Sequence, residues 1–214
     1  MIERLFGEEA RRRIEAAVRA AEARSTGQIV PVVVERSDPY PEARIRGGLL
    51  GAAVATAAVL LLHLPLTLAE LPLVQLGAGL LGALAGRWDP LERVLAGRAE
   101  LTLATRDRAL RAFHEQGLHL TAQGTGVLVF ASLFERRAVV LGDHGIHEKM
   151  GEASWQRAVD ALTRGLGADD PATGFCEAIA LCGATLAEHF PRDPSAPGPG
   201  PGNELGDALR TSRT

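Results

Sequence analysis

The stretch GGLLGAAVATAAVLLLHLPLTLAELPLVQLGAGLLGALAG, residues 47–86, decides how the rest of this chain must be read. Glu70 is the only formally charged residue in it, and His63, Pro65 and Pro72 interrupt it near the middle. A helix that crosses a bilayer needs about 20 apolar residues. The stretch therefore predicts a transmembrane hairpin, in which two apolar helices cross the membrane and a tight turn joins them.

The second helix of this hairpin is short for a bilayer. From Leu71 to Gly86 it rises about 24 Å, against a hydrocarbon core of about 30 Å. It gains length if it begins near Leu66 with Glu70 at the outer face, and a locally thinner bilayer would also accommodate it. The alternative is a helical hairpin buried in a soluble core, but the chain has too little other surface to enclose so long an apolar stretch.

Basic residues flank the stretch and set its expected orientation. Loops on the cytoplasmic side of a membrane carry an excess of Lys and Arg. The turn from Leu64 to Pro72 has neither residue type, and arginines lie on both flanks: Arg36, Arg44, Arg46, Arg87, Arg93 and Arg98. The start of the chain also lacks the apolar segment and cleavage site of a secretory signal. Both termini are therefore expected in the cytoplasm and the turn outside.

The composition outside the stretch limits what the chain can be. Roughly 170 residues remain, enough for one domain core and a tail. The net charge of -3 gives no basic excess, so no nucleic-acid partner is expected. Cys176 and Cys182 are about 9 Å apart along a predicted helix, beyond the roughly 7 Å limit for a disulfide. They are expected to be reduced core residues.

The remaining pattern predicts an α/β fold, a small helix-covered mixed sheet interrupted by the transmembrane hairpin. Strands are predicted at 28–35, 125–133 and 137–141, and helices at 8–24, 90–118, 154–165 and from 170 onward. The long helical connection makes the first two strands parallel, and the short turn before the third makes it antiparallel. Pro31 has no N–H to donate, which places the first strand at a sheet edge.

These assignments give four segments. Residues 1–43 and 89–190 form the two parts of one domain, and 44–88 form the transmembrane hairpin. Residues 191–214 are predicted to be a flexible tail, because the Pro- and Gly-rich run PRDPSAPGPGPG at 191–202 cannot hold a helix.

Several strings carry a resemblance to a known family: TGQIVPVVVERS at 26–37, the long run from RDRALRAF to VVLGDHGI at 106–146, CGATLAEHF at 182–190 and NELGDALR at 203–210. In these strings and in element order, the chain resembles membrane-anchored bacterial members of the TPM-domain family, many of which carry a transmembrane hairpin in the same place. The resemblance implies a small α/β domain. It also implies one of three properties described for members: weak acid phosphatase activity, calcium binding, or an accessory role for membrane complexes.

The most polar cluster of the chain follows the third strand and comprises Asp143, His144, His147, Glu148 and Lys149. The resemblance carries over Asp143 as a possible calcium ligand. Gln123 stands where many relatives have an acidic residue or Asn, so one strong oxygen ligand of a calcium site is replaced by an amide. Two other interpretations are open: His144 and His147 share a helix face and bind zinc, or Asp143 only shapes a turn.

Catalytic residues are not identified by any motif, and whether the chain is an enzyme stays open. No Gly-x-Ser-x-Gly elbow and no phosphate-binding glycine loop is present. Ser132 ends an apolar strand, while Glu35, Ser37 and Asp38 follow the first strand at the sheet end opposite Asp143. His114 and His119 are five residues apart and do not align on a helix, so no site is expected there.

The sequence predicts an accessory or binding factor in a bacterial inner membrane, multi-pass, whose partners are the lipid bilayer and a membrane protein complex. The alternative is a weak metal-dependent acid phosphatase at the membrane surface, with calcium as a possible cofactor. Within the hairpin, Gly47 and Gly51, and Gly82 and Gly86, recur four residues apart. Small faces of this kind allow helices to pack closely, either on each other or on a partner.

Overall fold

The computed structural model describes residues 2–121, 124–146, 155–192 and 205–212. The helices are α1 (Ile2–Leu5), α2 (Glu8–Glu22), α3 (Pro41–Leu61), α4 (Leu71–Ala85), α5 (Asp89–Ala96), α6 (Arg98–Glu115), a 3-10 turn (Leu118–Leu120), α7 (Gln156–Gly167) and α8 (Pro171–His189). The strands are β1 (Gln28–Val34), β2 (Gly126–Ser132), β3 (Arg137–Gly142) and β4 (Arg210–Ser212).

The chain divides into two compact units, one made of Met1–Ser37 with Ala104–Thr214 and one of Asp38–Leu103. The inserted unit is longer than the predicted hairpin segment 44–88 at both ends. Its first helix already begins at Pro41, and α5 also belongs to it.

The first unit is built on a four-stranded sheet in the order β3-β2-β1-β4. β1 and β2 are parallel, in register from Gln28 opposite Gly126 to Val34 opposite Ser132. β2 and β3 are antiparallel, with Val129 opposite Val140. The predicted mixed α/β class and both strand directions are confirmed.

Apolar side chains cover both faces of this sheet. Ile29, Val33 and Val129 belong to a core cluster with residues of α2, α7 and α8. Val32 and Phe130 belong to a second cluster with residues of α6. Because β1 and β2 are buried along their whole length, they lack the alternating pattern of a half-exposed strand.

The start of α8 follows its sequence signal. The backbone N–H of Thr173 donates to the Asp170 carboxylate over 3.2 Å, and Pro171 occupies the first turn, where a missing N–H costs nothing. Hydrogen bonds from Thr173 lower the pKa of Asp170. The helix buries Phe175, whose ring meets Phe6 edge-on at 5.8 Å between centroids.

The tail does not follow its prediction. Residues 210–212 form β4, which pairs in parallel with β1 from Val32 opposite Arg210 to Val34 opposite Ser212. Leu209, just before it, is only 6% exposed and belongs to the core cluster. The expectation of a free tail is therefore wrong for residues 205–212, because Leu209 gives the segment an apolar anchor and β1 offers it an edge.

The position of β1 also needs correction. β1 lies between β2 and β4, so the predicted edge strand is an interior strand over Val32–Val34. The missing N–H of Pro31 nevertheless lies on a part of β1 that β4 does not cover. Pro31 precedes the first residue paired with β4, at a point where a missing N–H removes no ladder hydrogen bond.

The second unit contains a pair of antiparallel apolar helices. Gly47 of α3 faces Gly82 of α4, and Gly48 faces Gly79. Residue numbers therefore increase along α3 as they decrease along α4, as expected of antiparallel helices. At the base of the pair, Arg46 donates to the Leu95 carbonyl over 2.8 Å and to the Glu100 carboxylate over 2.9 Å. These contacts fix α5 and the start of α6 to α3.

Candidate functional site

The apolar surface of α3 and α4 is the most unusual feature of the inserted unit. Helix α3 has 21 residues and a mean hydropathy of 1.5, and only 6% of its apolar window is buried. Among the described residues it is the one helix long and apolar enough to cross a membrane. Length and composition therefore fit membrane association.

Helix α4 is short, as the sequence predicted, and it does not gain the extra length that a start near Leu66 would give. It has 15 residues and begins at Leu71 rather than near Leu66, so it rises about 22 Å against a core of about 30 Å. Glu70 lies in the preceding turn, where its carboxylate accepts hydrogen bonds from the Thr67 N–H at 2.7 Å and hydroxyl at 2.8 Å. The helix pair is present, but only α3 meets the length needed for a crossing.

The two helices turn small residues inward and large apolar residues outward. A Cβ added to Gly47 would lie 2.7 Å from the Gly82 carbonyl oxygen, too close for any side chain. The sequence left open whether these small faces pack on each other or on a partner. In the structure the small residues of α3 and α4 pack on each other. The outward residues include Leu49, Val54, Leu60, Leu73, Leu76 and Leu80.

Asp143 closes a turn after β3, at the sheet end where β2 begins. Its backbone N–H donates to the Gly126 carbonyl over 2.9 Å, and its carboxylate accepts from the His144 N–H over 2.7 Å. The Ile146 N–H donates to the Asp143 carbonyl over 3.0 Å. These contacts are those of a turn residue.

The other members of the predicted polar cluster, His147, Glu148 and Lys149, lie outside the described residues, as does Gln123. Among the residues that are described, no group of three or more His, Cys, Asp and Glu is placed to hold a metal ion. Calcium binding at Asp143 stays a prediction.

A buried polar cluster occupies the opposite end of the sheet, where β1 and β2 end. The Ser37 N–H donates to the Glu135 carboxylate over 2.9 Å, and the Ser37 hydroxyl contacts the Ser132 hydroxyl at 3.0 Å. The Ser132 hydroxyl in turn hydrogen-bonds Glu135. Glu135 was not identified from the sequence. The only signal was a Ser ending an apolar strand, with Glu three residues later. Ser132 is fully buried, so a reactant cannot reach it and the cluster ties the two strand ends together.

His114 and His119 meet, contrary to the sequence-based expectation. Their ring centroids are 4.9 Å apart. The helical spacing argument failed because α6 ends at Glu115 and Gly117, with φ 71°, reverses the chain. Both rings are exposed.

Cys182 is buried in the core, as predicted, whereas Cys176 is partly buried against it. Cys176 and Cys182 are free. Burial raises the pKa of the Cys182 thiol to about 12, and burial also raises that of Cys176. Neither thiol is activated as a nucleophile.

No protein-family model matches the chain, and the comparison with curated proteins finds no match. Among solved structures, the chain is similar to the NMR structure of the BA42 protein from the psychrophilic bacterium Bizionia argentinensis, with a TM-score of 0.58 and 17% sequence identity. The likeness covers 95% of this chain and 93% of that one. At this identity it shows a shared fold and nothing about activity.

Proposed function

We propose that this chain is a membrane-anchored accessory protein: the Asp38–Leu103 unit holds it in a bilayer, and the α/β unit binds a component of a membrane protein complex. The observation that carries the proposal is the exposed apolar surface of α3 and α4, where Leu76 is 71% and Leu61 78% exposed. Soluble monomers rarely expose apolar patches larger than a few hundred Å². Lipid around the helix pair removes the cost of that exposure.

The arginine distribution supports a two-pass arrangement with both termini in the cytoplasm of a bacterial inner membrane. Arg44 and Arg46 lie near the start of α3, and Arg87 follows α4. Because the helices are antiparallel, these residues lie at one end of the pair, and the connection at the other end has no Lys or Arg. Positive charge stays on the cytoplasmic side. The short α4 then requires local thinning of the bilayer.

We further propose that the α/β unit is a TPM-like domain, on the strength of the strings at 26–37 and 106–146. The structural likeness to the BA42 protein supports the fold of this unit and not the family.

We favour a binding role over a catalytic one because the polar side chains that could act in catalysis are either hydrogen-bonded within the protein or buried. The Asp143 carboxylate accepts from His144, and Ser132 and Glu135 are buried. The alternative, a weak metal-dependent acid phosphatase at the membrane surface, needs several oxygen ligands around a hard cation such as calcium. Asp143 is the one carboxylate of that cluster among the described residues.

Topology is tested by labelling single cysteines with an impermeant maleimide in intact cells. The positions are Ala16, Thr67 and Ala184, all exposed, in a background with Cys176→Ala and Cys182→Ala. We expect labelling at position 67 only, and at all three positions after permeabilisation. Labelling of position 16 or 184 in intact cells contradicts the orientation. Position 67 lies between α3 and α4, so an unlabelled position 67 in a membrane-bound protein means that α3 does not carry the turn across the membrane, which contradicts the two-pass arrangement.

The accessory role is tested by cross-linking in membranes, extraction in mild detergent and identification of co-purifying proteins. A matched variant replaces residues 47–86 by an unrelated two-pass hairpin of equal length. We expect the same membrane protein to co-purify with both proteins, because the α/β unit makes the contact. Loss from the variant alone would assign the contact to the hairpin. The absence of any partner from both would contradict the accessory role.

A further inference from the structure

The C-terminal segment Leu205–Ser212 is attached to the rest of the first unit by a short strand and by the side chains on either side of it. β4 pairs with β1 over three residues. The Arg210 guanidinium hydrogen-bonds the Gln116 side chain and the Leu205 carbonyl, and Leu209 is buried. A strand this short is held by its flanking side chains more than by its ladder, so a change at one flanking contact can release it.

The backbone N–H groups at both ends of the β1 edge that faces this segment have hydrogen-bond partners. At its start, the Ile29 N–H donates to the Glu22 carboxyl group over 2.7 Å, and Pro31 has no N–H. At its end, the Glu35 N–H donates to the Ser212 carbonyl over 3.2 Å. Unpaired strand edges are templates for pairing with other chains. Glu22 and the C-terminal segment together cover this one.

A contact between Glu22 and Asp207 links the two groups that cover the β1 edge, Glu22 at its start and the C-terminal segment at its end. The Glu22 side chain hydrogen-bonds that of Asp207, whose side chain is 12% exposed and lies 3.5 Å from Arg19 Nε. Burial raises the pKa of Glu22 to about 7; the Ile29 hydrogen bond lowers it, the Asp207 charge raises it and the Arg192 charge lowers it. Two carboxyl groups in contact share a proton readily, whereas two carboxylates repel each other.

We propose that Leu205–Ser212 is a releasable strap over the β1 edge, held by a proton shared between Glu22 and Asp207, and that losing this proton frees the strap and uncovers Val32–Glu35. Arg19 limits the repulsion after proton loss because it pairs with Asp207. Arg192 limits it from the segment after α8. The described partners of the Arg210 guanidinium are the Gln116 side chain and the Leu205 carbonyl, which do not titrate, and Leu209 is apolar. These two residues therefore set the affinity of the strap and not its pH dependence.

The sign of the pH response follows from the pKa of Glu22. The bound strap favours protonated Glu22, so binding weakens as pH rises toward about 7 and is weakest above it. Linkage limits the response to about tenfold per pH unit for one proton. The expected change is a several-fold rise in the released fraction between about pH 5 and about pH 8.

The test is a nitroxide spin label on Thr211→Cys in the full-length, detergent-solubilised chain with Cys176→Ala and Cys182→Ala. Thr211 is exposed and lies opposite Val33 of β1, so the label reports strap binding without filling the core. We expect a mostly immobile label at about pH 5 and a several-fold larger mobile fraction at about pH 8. A label that is equally immobile, or equally mobile, at both values overturns the proposal.

Glu22→Gln separates the shared proton from a general pH effect. Its amide accepts from Ile29 and donates to Asp207 but cannot lose a proton, so the label should stay immobile at both pH values. Glu8→Gln is the matched control, because Glu8 lies on the same helix in an exposed pair with Arg12; it should keep the wild-type response. A pH response that survives Glu22→Gln, or is lost in Glu8→Gln, overturns the proposal. A thermal melt of each variant confirms that it is folded.

Discussion

Gln75 Nε2 lies 2.8 Å from Thr56 Oγ1 and donates a hydrogen bond to it, so a polar contact joins α4 to α3 inside the apolar helix pair. The Thr56 hydroxyl is also engaged as a donor, to the Ala52 carbonyl at 2.9 Å. The Thr56 hydroxyl therefore both accepts and donates a hydrogen bond. In a bilayer the helix pair would otherwise hold an amide with nowhere to donate.

Thr56→Val is expected to weaken the helix pair by about 0.6 kcal/mol, and by no more than about 1.7 kcal/mol, because interhelical hydrogen bonds in membranes contribute that much. The measurement is unfolding in a series of SDS mole fractions, followed by energy transfer between labels on α3 and α4. Thr102→Val is the control, since the Thr102 hydroxyl bonds only within its own helix, to Arg98, as far as the described contacts go. An equal loss at both positions would contradict an interhelical role.

Gly47→Ala is expected to separate α3 from α4. The added Cβ would lie 2.7 Å from the Gly82 carbonyl oxygen and 3.3 Å from a Leu95 methyl, so backbone must move. Gly77→Ala makes the same change on α4 with nothing within 4 Å. Overpacking of this kind costs roughly 1–3 kcal/mol, whereas the control should gain helix propensity. The same SDS titration distinguishes the two variants, and equal stability would mean that the close approach is absent.

Much of the fold could be read from local signals. Asp170 and Pro171 mark the start of α8 because an N-cap acceptor and a residue without N–H are what a first helical turn needs. The run that became β2 is apolar throughout because the sheet is covered on both sides. These features depend on neighbours along the chain, which the sequence displays.

The missed features depend on contacts between distant segments. The sequence of β4, Arg-Thr-Ser, carries no strand signal of its own. It forms a strand because it pairs with the edge of β1, which is distant in the chain. His114 and His119 meet because Gly117 reverses the chain after α6, a change that a continuous helical spacing does not contain. The partnership of Ser132 with Ser37 also needs the parallel register of β1 and β2.

Asp143→Ala is expected to cost about 1 kcal/mol with or without calcium, since the carboxylate accepts from the His144 N–H and shapes the turn. Asp143→Asn keeps an acceptor there and should cost less. A calcium ligand would behave differently, because bound calcium at a hundredfold excess over Kd adds about 2.7 kcal/mol. Melts with millimolar calcium and with chelator decide between them. A calcium-dependent rise in Tm that disappears in Asp143→Asn would favour the metal-dependent alternative.

The stability of the folded chain should fall as pH rises from about 4.5 to about 7, because the pKa of Glu22 rises from 4.5 to about 7 on folding, chiefly through burial. In that range the folded state holds a proton that the unfolded state has released, so each step up in pH favours unfolding. Above about 7 both states are ionised and this contribution is constant. Tm measured against pH should show a smaller decline in Glu22→Gln than in the wild type. An identical decline in both would remove Glu22 as its source.

Truncation after residue 204 is expected to lower Tm, in contrast to the removal of a free tail. The deletion takes away β4 and Leu209, which is 6% exposed within the core cluster. Losing a buried Leu costs about 2 kcal/mol at the low end of the usual range, which for a chain of this size is about 4–8 °C in Tm.

Truncation after Ser212 is the control and should change little. Leu209→Ala in the full-length chain should reproduce most of the loss, since the side chain and not the three-residue ladder anchors the segment. The melts belong at about pH 5, where Glu22 is largely protonated and the segment is bound. An unchanged Tm on truncation there would mean that Leu205–Ser212 contributes no stability and that Leu209 does not anchor it.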